Sequence, residues 1–139
     1  MKVENRGIEF HTDGEGFIRD ITEEVKSEVR ASGIRDGLVT VFVPGSTGAV
    51  TTLEYEPGLI RDLPAALERI APRGASYEHQ KMWHDGNGHS HVRASIIGPS
   101  LTIPVSGGEL ALGTWQQVVF LELDVRPRKR SIVLTVLGE

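Results

Sequence analysis

"SLTIPVSGGELALGTWQQVVFLELDVRPRKRSIVLTVL", residues 100–137, decides the class of fold. It divides into LTIPV, ELALG, QQVVFLELDV and SIVLTVL, short runs rich in β-branched and apolar residues and separated by Gly, Pro and Ser. Such punctuation predicts a series of strands. Ser106-Gly107-Gly108-Glu109 is a hairpin turn, because tandem glycines adopt the positive φ angles that two-residue loops require. SIVLTVL is apolar at both alternations, which predicts a central strand covered on each face. Immediately upstream, HVRASIIG (91–98) reads as one more strand, with Val92, Ala94 and Ile96 on its core face.

The N-terminal half mixes strands with helices. VENRGIEF (3–10) is a short strand, and RDITEEVKSEVRASG (19–33) a helix. Asp20 is its expected cap, with Glu23 in capping-box position, and Ile21, Val25 and Val29 form one stripe before Gly33 stops it. LVTVFV (38–43) and AVTTLEY (49–55) are strands joined by a turn. After Pro57 a second helix carries Leu59, Ile60, Leu63, Leu67 and Ile70, with Pro64 predicted to kink it or mark its start. The sum is a single α+β domain over 1–139, built on mainly antiparallel, sandwich-like sheet with about two helices inserted early.

Composition narrows the chemistry. The 139 residues include no Cys, which removes disulfides, thiolate metal ligands and a thiol nucleophile. A net charge of −4 argues against nucleic acid as a partner, since phosphate backbones call for a basic field. No apolar run is long enough to span a bilayer, so no membrane partner and a cytoplasmic location are expected. The basic run RPRKR (126–130) is expected on an exposed turn between strands.

Four of the five histidines fall within 13 residues: His79, His84, His89 and His91. On a strand, His89, His91, Arg93 and Ser95 would share one face and aim two imidazoles at one ion. His79, His84 or a carboxylate such as Glu54 would complete a three-ligand site, beside an Arg93 able to hold an anion. Pro44–Gly48 has the glycines of an anion-binding loop, but it lacks the Lys-Ser/Thr ending of a P-loop and leads into a strand, so it reads as a tight turn. Glu122 interrupts an apolar strand and requires a partner, Arg128 or Arg130, or acts as a general base.

A set of spaced residues is similar to the YjbQ-like family, labelled secondary thiamine-phosphate synthases: Tyr77 and His79, Asn87, His91 and Arg93, Gly98 and Ser100, Pro104 and Val105, and Gly113–Gln116. The likeness is dense over 77–130. It implies an α+β fold on antiparallel sheet, a homotrimer with sites near subunit boundaries, and a bound divalent metal, zinc foremost. It makes His79 and His91 the better candidates, with His84 and His89 as subgroup features. Where many members have His-Thr-Ser-Ala before an acidic residue matching Glu54, this chain has Gly-Ser-Thr-Gly, with Gly45 or its neighbour in place of the histidine.

Two functions follow as expectations. The first is a metal-assisted enzyme acting on a small phosphorylated metabolite, with thiamine-phosphate synthesis as the named reaction. In it His79 and His91 ligate the metal or relay protons, with His84 or His89 as a third partner, Arg93 holds phosphate, Glu54 serves as base or ligand, and Trp115 floors the pocket. The alternative is a non-catalytic trimer that binds a metal or an anion.

Overall fold

A computed structural model describes residues 1–139. Eight strands form two sheets, and every strand pair is antiparallel. The larger sheet contains β1 (Lys2–His11), β3 (Gly37–Phe42), β5 (Ser100–Ser106), β6 (Glu109–Leu110) and β8 (Lys129–Gly138), in the order β1-β8-β3-β5-β6. The smaller contains β2 (Ile18–Asp20), β4 (Gly48–Leu53) and β7 (Gln117–Glu122), in the order β2-β7-β4. The helices are α1 (Thr22–Ser32), α2 (Pro57–Ile70), α3 (Glu78–Trp83) and α4 (Gly88–Ile97). No helix is long and apolar enough to cross a membrane.

Two apolar clusters account for the layering. The main one joins Val39, Val41, Ile103, Ile132, Leu134 and Val136 of the larger sheet to Val118 and Phe120 of β7 and Val25 and Val29 of α1. The second packs Val119 and Leu121, on the other face of β7, against Leu67 of α2 and Ala94 of α4. β7 is therefore the strand covered on both faces. The expectation that SIVLTVL would hold that place is corrected: β8 has neighbours on both edges, but only Arg130, Ile132, Leu134 and Val136 point inward. Its other face, with Val133 and Leu137, stays partly exposed beside Val3, Leu38 and Phe42.

Local chemistry explains most boundaries. Gly33 closes α1 in the left-handed conformation at φ 74°, and Gly107 and Gly108 take φ 59° and 82° in the β5–β6 hairpin. Asp20 accepts from the N–H and hydroxyl of Thr22, but no side-chain bond closes the expected capping box around Glu23. The Glu56 carboxylate caps α2 by accepting from the N–H groups of Gly58 and Leu59, and the helix runs through Pro64.

The largest departure is residues 91–98, expected as a strand and found as α4. Only Val92, Ala94 and Ile96 supported an alternation, too short a run to separate period 2 from period 3.6. The helical set Ser90, Arg93, Ala94 and Ile97 faces inward instead, and two of its four members are polar. Successive helical residues turn by about 100°. His89 and His91 therefore diverge rather than sharing a face. The additional short helix α3 turns the preceding loop into a support for His79.

Candidate functional site

α4 distributes its polar residues to two places. His89 is fully buried and its Nε2 bonds the Glu15 carboxylate. One turn later Arg93 donates from Nε to the Ala71 carbonyl at 3.0 Å and from Nη2 to Glu68 at 2.6 Å. Arg73 reaches Glu15 at 2.7 Å, which closes a network of two glutamates, two arginines and a histidine. The Arg73 backbone N–H, working against burial and aided by Arg93, holds the Glu68 carboxyl below its ordinary range. This network fastens α4 to α2 and the β1–β2 loop. Arg93, expected to hold phosphate, is thus buried and committed to protein acceptors.

The opposite side of α4 carries His91, which stands against His79. The imidazoles of His79 and His91 lie with ring centroids 4.4 Å apart and planes at 50°. Asn87, one turn before His91, and Asp85 both reach Nε2 of His79, the carboxylate at 3.3 Å. Turned with its amide nitrogen toward the carboxylate, it donates to Asp85 at 2.7 and 3.1 Å and to His79 Nε2 at 3.0 Å. Those approaches decide the orientation over the 3.5 Å approach to Asp124 that the other one allows. His84 ends α3 in the left-handed conformation and is exposed, apart from the pair.

Burial, then the neighbouring His79, pushes the His91 imidazole below its ordinary range, while Asp85 and Asp124 oppose the shift. The folded protein therefore resists protonating His91 where the unfolded chain would accept a proton, below about pH 6.5. Stability from this group is complete above that pH and declines as pH falls toward the folded-state value. A proton-NMR titration should place the His91 midpoint below about 6.5. His79→Gln should move it upward, and a wild-type midpoint at or above the ordinary value would contradict the geometry.

Asp124 acts on His91 through its charge and is itself bonded to the rest of the molecule. Burial works to raise its pKa, but hydrogen bonds from the Val125 N–H, Thr47 and Arg128 outweigh it and leave Asp124 below the usual carboxylate range. Behind it, Glu122 is fully buried and pairs with Arg130, as one of the two expected partners, through Nε at 2.9 Å and through Nη2. The Thr12 hydroxyl donates to it at 2.8 Å and the Asp124 N–H at 3.2 Å. RPRKR is accordingly not one exposed turn: Arg126 is exposed, but Arg128 pairs with Asp124 and Arg130 is buried within β8.

Glu54 belongs elsewhere. It is exposed beyond β4 and lines an open cavity of about 580 Å³ with Tyr55, Glu109 and Trp115, and none of the histidines lines that cavity. The four expected metal ligands also separate, since only His79 and His91 meet. Zinc sites take three or four protein ligands. No group of three or more His, Asp or Glu side chains converges for a metal.

The comparisons agree with this architecture. The family model for the UPF0047 protein YjbQ-like family matches residues 6–139. The chain belongs to that family. A UPF0047 protein of Methanothermobacter thermautotrophicus is 40% identical over 139 residues, covering 100% of this chain and 95% of its own length. One from Archaeoglobus fulgidus is 41% identical over 120 residues, covering 86% and 90%. The crystal structure of a YbjQ-like protein of unknown function from Sulfolobus solfataricus superposes with a TM-score of 0.90 at 31% identity, covering 99% of this chain and 100% of that one. That of a hypothetical protein from Aeropyrum pernix gives 0.86 at 35%, with 100% of both chains covered. The YjbQ-like positions Tyr77 and Asn87 thus fall at the N-caps of α3 and α4, with His79 and His91 in the first turns of those helices.

Proposed function

We propose that the protein is a small group-transfer enzyme in which His79 and His91 move a proton while a phosphorylated metabolite is bound, with thiamine-phosphate synthesis as the candidate reaction. The observation that carries this reading is the contact of two imidazoles, one of them held neutral by burial, beside the Asp85 carboxylate. A neutral imidazole accepts a proton near physiological pH, and a second one within reach can relay it to a different oxygen. In the candidate reaction the thiazole nitrogen forms a C–N bond with the pyrimidinylmethyl carbon. The C–O bond to diphosphate breaks with its electron pair on oxygen, which would receive a proton drawn from solvent through the His79–His91 pair. Incubating both phosphorylated substrates with the protein should yield thiamine phosphate and diphosphate in equal amounts, and His91→Ala should slow this by about 100-fold or more. Equal rates for wild type and variant would end the proposal, as would a wild type that turns over no member of a panel of phosphorylated metabolites.

A second reading retains the divalent metal, favoured by the neutral state of His91 in contact with His79, since metal ligands must be unprotonated. Its third ligand would come from outside the chain. On untagged protein it requires about one equivalent of zinc or a similar ion per site, lost in His91→Ala. A metal-free protein that stays metal-free after incubation with zinc would exclude it. We further propose a homotrimer, supported by the exposed apolar residues Val3, Leu38, Phe42, Val133 and Leu137 on the outer face of the larger sheet. Sedimentation equilibrium should return three times the chain mass of 15.2 kDa.

A further inference from the structure

The β3–β4 loop, residues 43–47, contains donors that the fold leaves unused. The backbone N–H groups of Gly45, Ser46 and Thr47 donate to no acceptor in the chain. Pro44, Gly45 and Ser46 are exposed, and Gly45 adopts φ 109°, a left-handed value that only glycine takes readily. Thr47 is buried and fixes the loop from below. Its hydroxyl donates to Asp124 at 3.1 Å and accepts from Arg130 Nη2 at 3.0 Å, while its carbonyl accepts from the Leu123 N–H.

Arg130 supplies the second, independent observation. Its side chain is only 5% exposed, and Nε and Nη2 are engaged by Glu122 and Thr47. Nη1 has no acceptor in the chain. It lies against the Gly45 backbone, where a Cβ on that residue would sit 3.4 Å from it. A guanidinium held almost wholly inside the protein, with one nitrogen unspent, is aimed at a loop of free N–H groups. Successive backbone N–H groups around a left-handed residue form a concavity that binds anions, and a rigid set of such donors loses little on reorganisation.

We propose that Gly45, Ser46 and Thr47, through their backbone N–H groups, and Arg130, through Nη1, form the seat of the substrate's phosphate group. This deepens the function proposed above and rests on it for the identity of the anion. It moves phosphate binding from Arg93, whose nitrogens are committed to Glu68, Ala71 and Glu15, to a loop that reads as a plain turn in the sequence. Placement suits the chemistry: Thr47 bonds Asp124, and Asp124 lies close enough to His91 to influence its protonation. The exposed Gly45 also admits a bulky charged group that a side chain at this position would obstruct.

The test needs no turnover. Wild-type protein labelled with nitrogen-15 is titrated with inorganic phosphate at low ionic strength, and amide shifts are followed. The expected result is saturable shifts at Gly45, Ser46 and Thr47 and at the Arg130 side-chain N–H groups. Gly45→Asp places a carboxylate before Nη1 and should weaken binding by about tenfold or more, with an otherwise unchanged spectrum showing that it folds. The wild-type map decides the question even if that variant does not fold. No saturable shift, shifts centred on Arg126 and Lys129 or on Arg73, or unchanged binding by a folded Gly45→Asp would each overturn the assignment. Phosphate binding on the loop without product formation would leave this site standing and end the enzymatic reading instead.

Discussion

Arg130→Met should destabilise the protein by about 3–5 kcal/mol, because it strips the cation from a carboxylate that has no access to water. Glu122 is fully buried and has few substitutes for what Arg130 supplies: two nitrogens on its two oxygens, against one hydroxyl from Thr12 and one N–H from Asp124. The guanidinium also leans on the Phe120 ring, 5.7 Å from its centroid, so packing is lost with the charge. The pair itself need not be strongly favourable, since removing two charges from water offsets most of their attraction. The double replacement Glu122→Gln with Arg130→Met should therefore recover much of the loss. Urea midpoints for the two variants check this, and a double variant no more stable than Arg130→Met alone would show that packing rather than the unpaired charge governs the site.

Phe120→Ala should be of similar size, about 3–5 kcal/mol, for a different reason. Phe120 is wholly buried, meets Phe10 edge-on with centroids 5.2 Å apart, and fills the space that Gly48 leaves on β4. Truncation removes an aromatic ring between two sheets fastened by their own hydrogen bonds, so collapse around the cavity is limited. Denaturant unfolding should show a lowered midpoint with an unchanged slope. Phe120→Leu, which retains more of the volume, should lose less than half as much. A loss for Phe120→Ala confined to the size of an exposed substitution would mean that the sheets close over the gap.

The parts of the fold that were legible in the sequence are those with long, clean periods. α1 combined an apolar stripe at a spacing of four with a terminal glycine, and β5, β7 and β8 lay between unambiguous turn residues. α4 escaped because its inward face is half polar: Ser90 and Arg93 mask the helical period, while Val92 and Ile96, which suggested alternation, are on its exposed side. That single misreading rearranged the site. It grouped His89 with His91 and freed Arg93 for a ligand, whereas a helix sends His89 and Arg93 into an ion-pair network and leaves His91 to meet His79. The pairing of those two came from the resemblance, since no local period joins residues on separate helices. Asp124 was missed, although a signal existed: in LELDV it lies two residues after Glu122, in the same alternation of the sequence and amid the same apolar neighbours. Thr47 carried no comparable mark, because a buried hydroxyl in a glycine-rich turn looks like any other.

Thr12, Thr47, Glu122, Asp124, Arg128 and Arg130 form one connected set of hydrogen bonds, contributed by segments far apart along the chain. Groups joined in this way do not contribute independently. The cost of changing Thr47 depends on whether Asp124 and Arg130 are still present to be disappointed, and the reverse holds equally. A lineage that altered one member would face a deficit that only a change at another could relieve. Across descendants of such a chain these six positions should therefore drift together, in pairs or larger sets, while the apolar positions around them exchange one at a time.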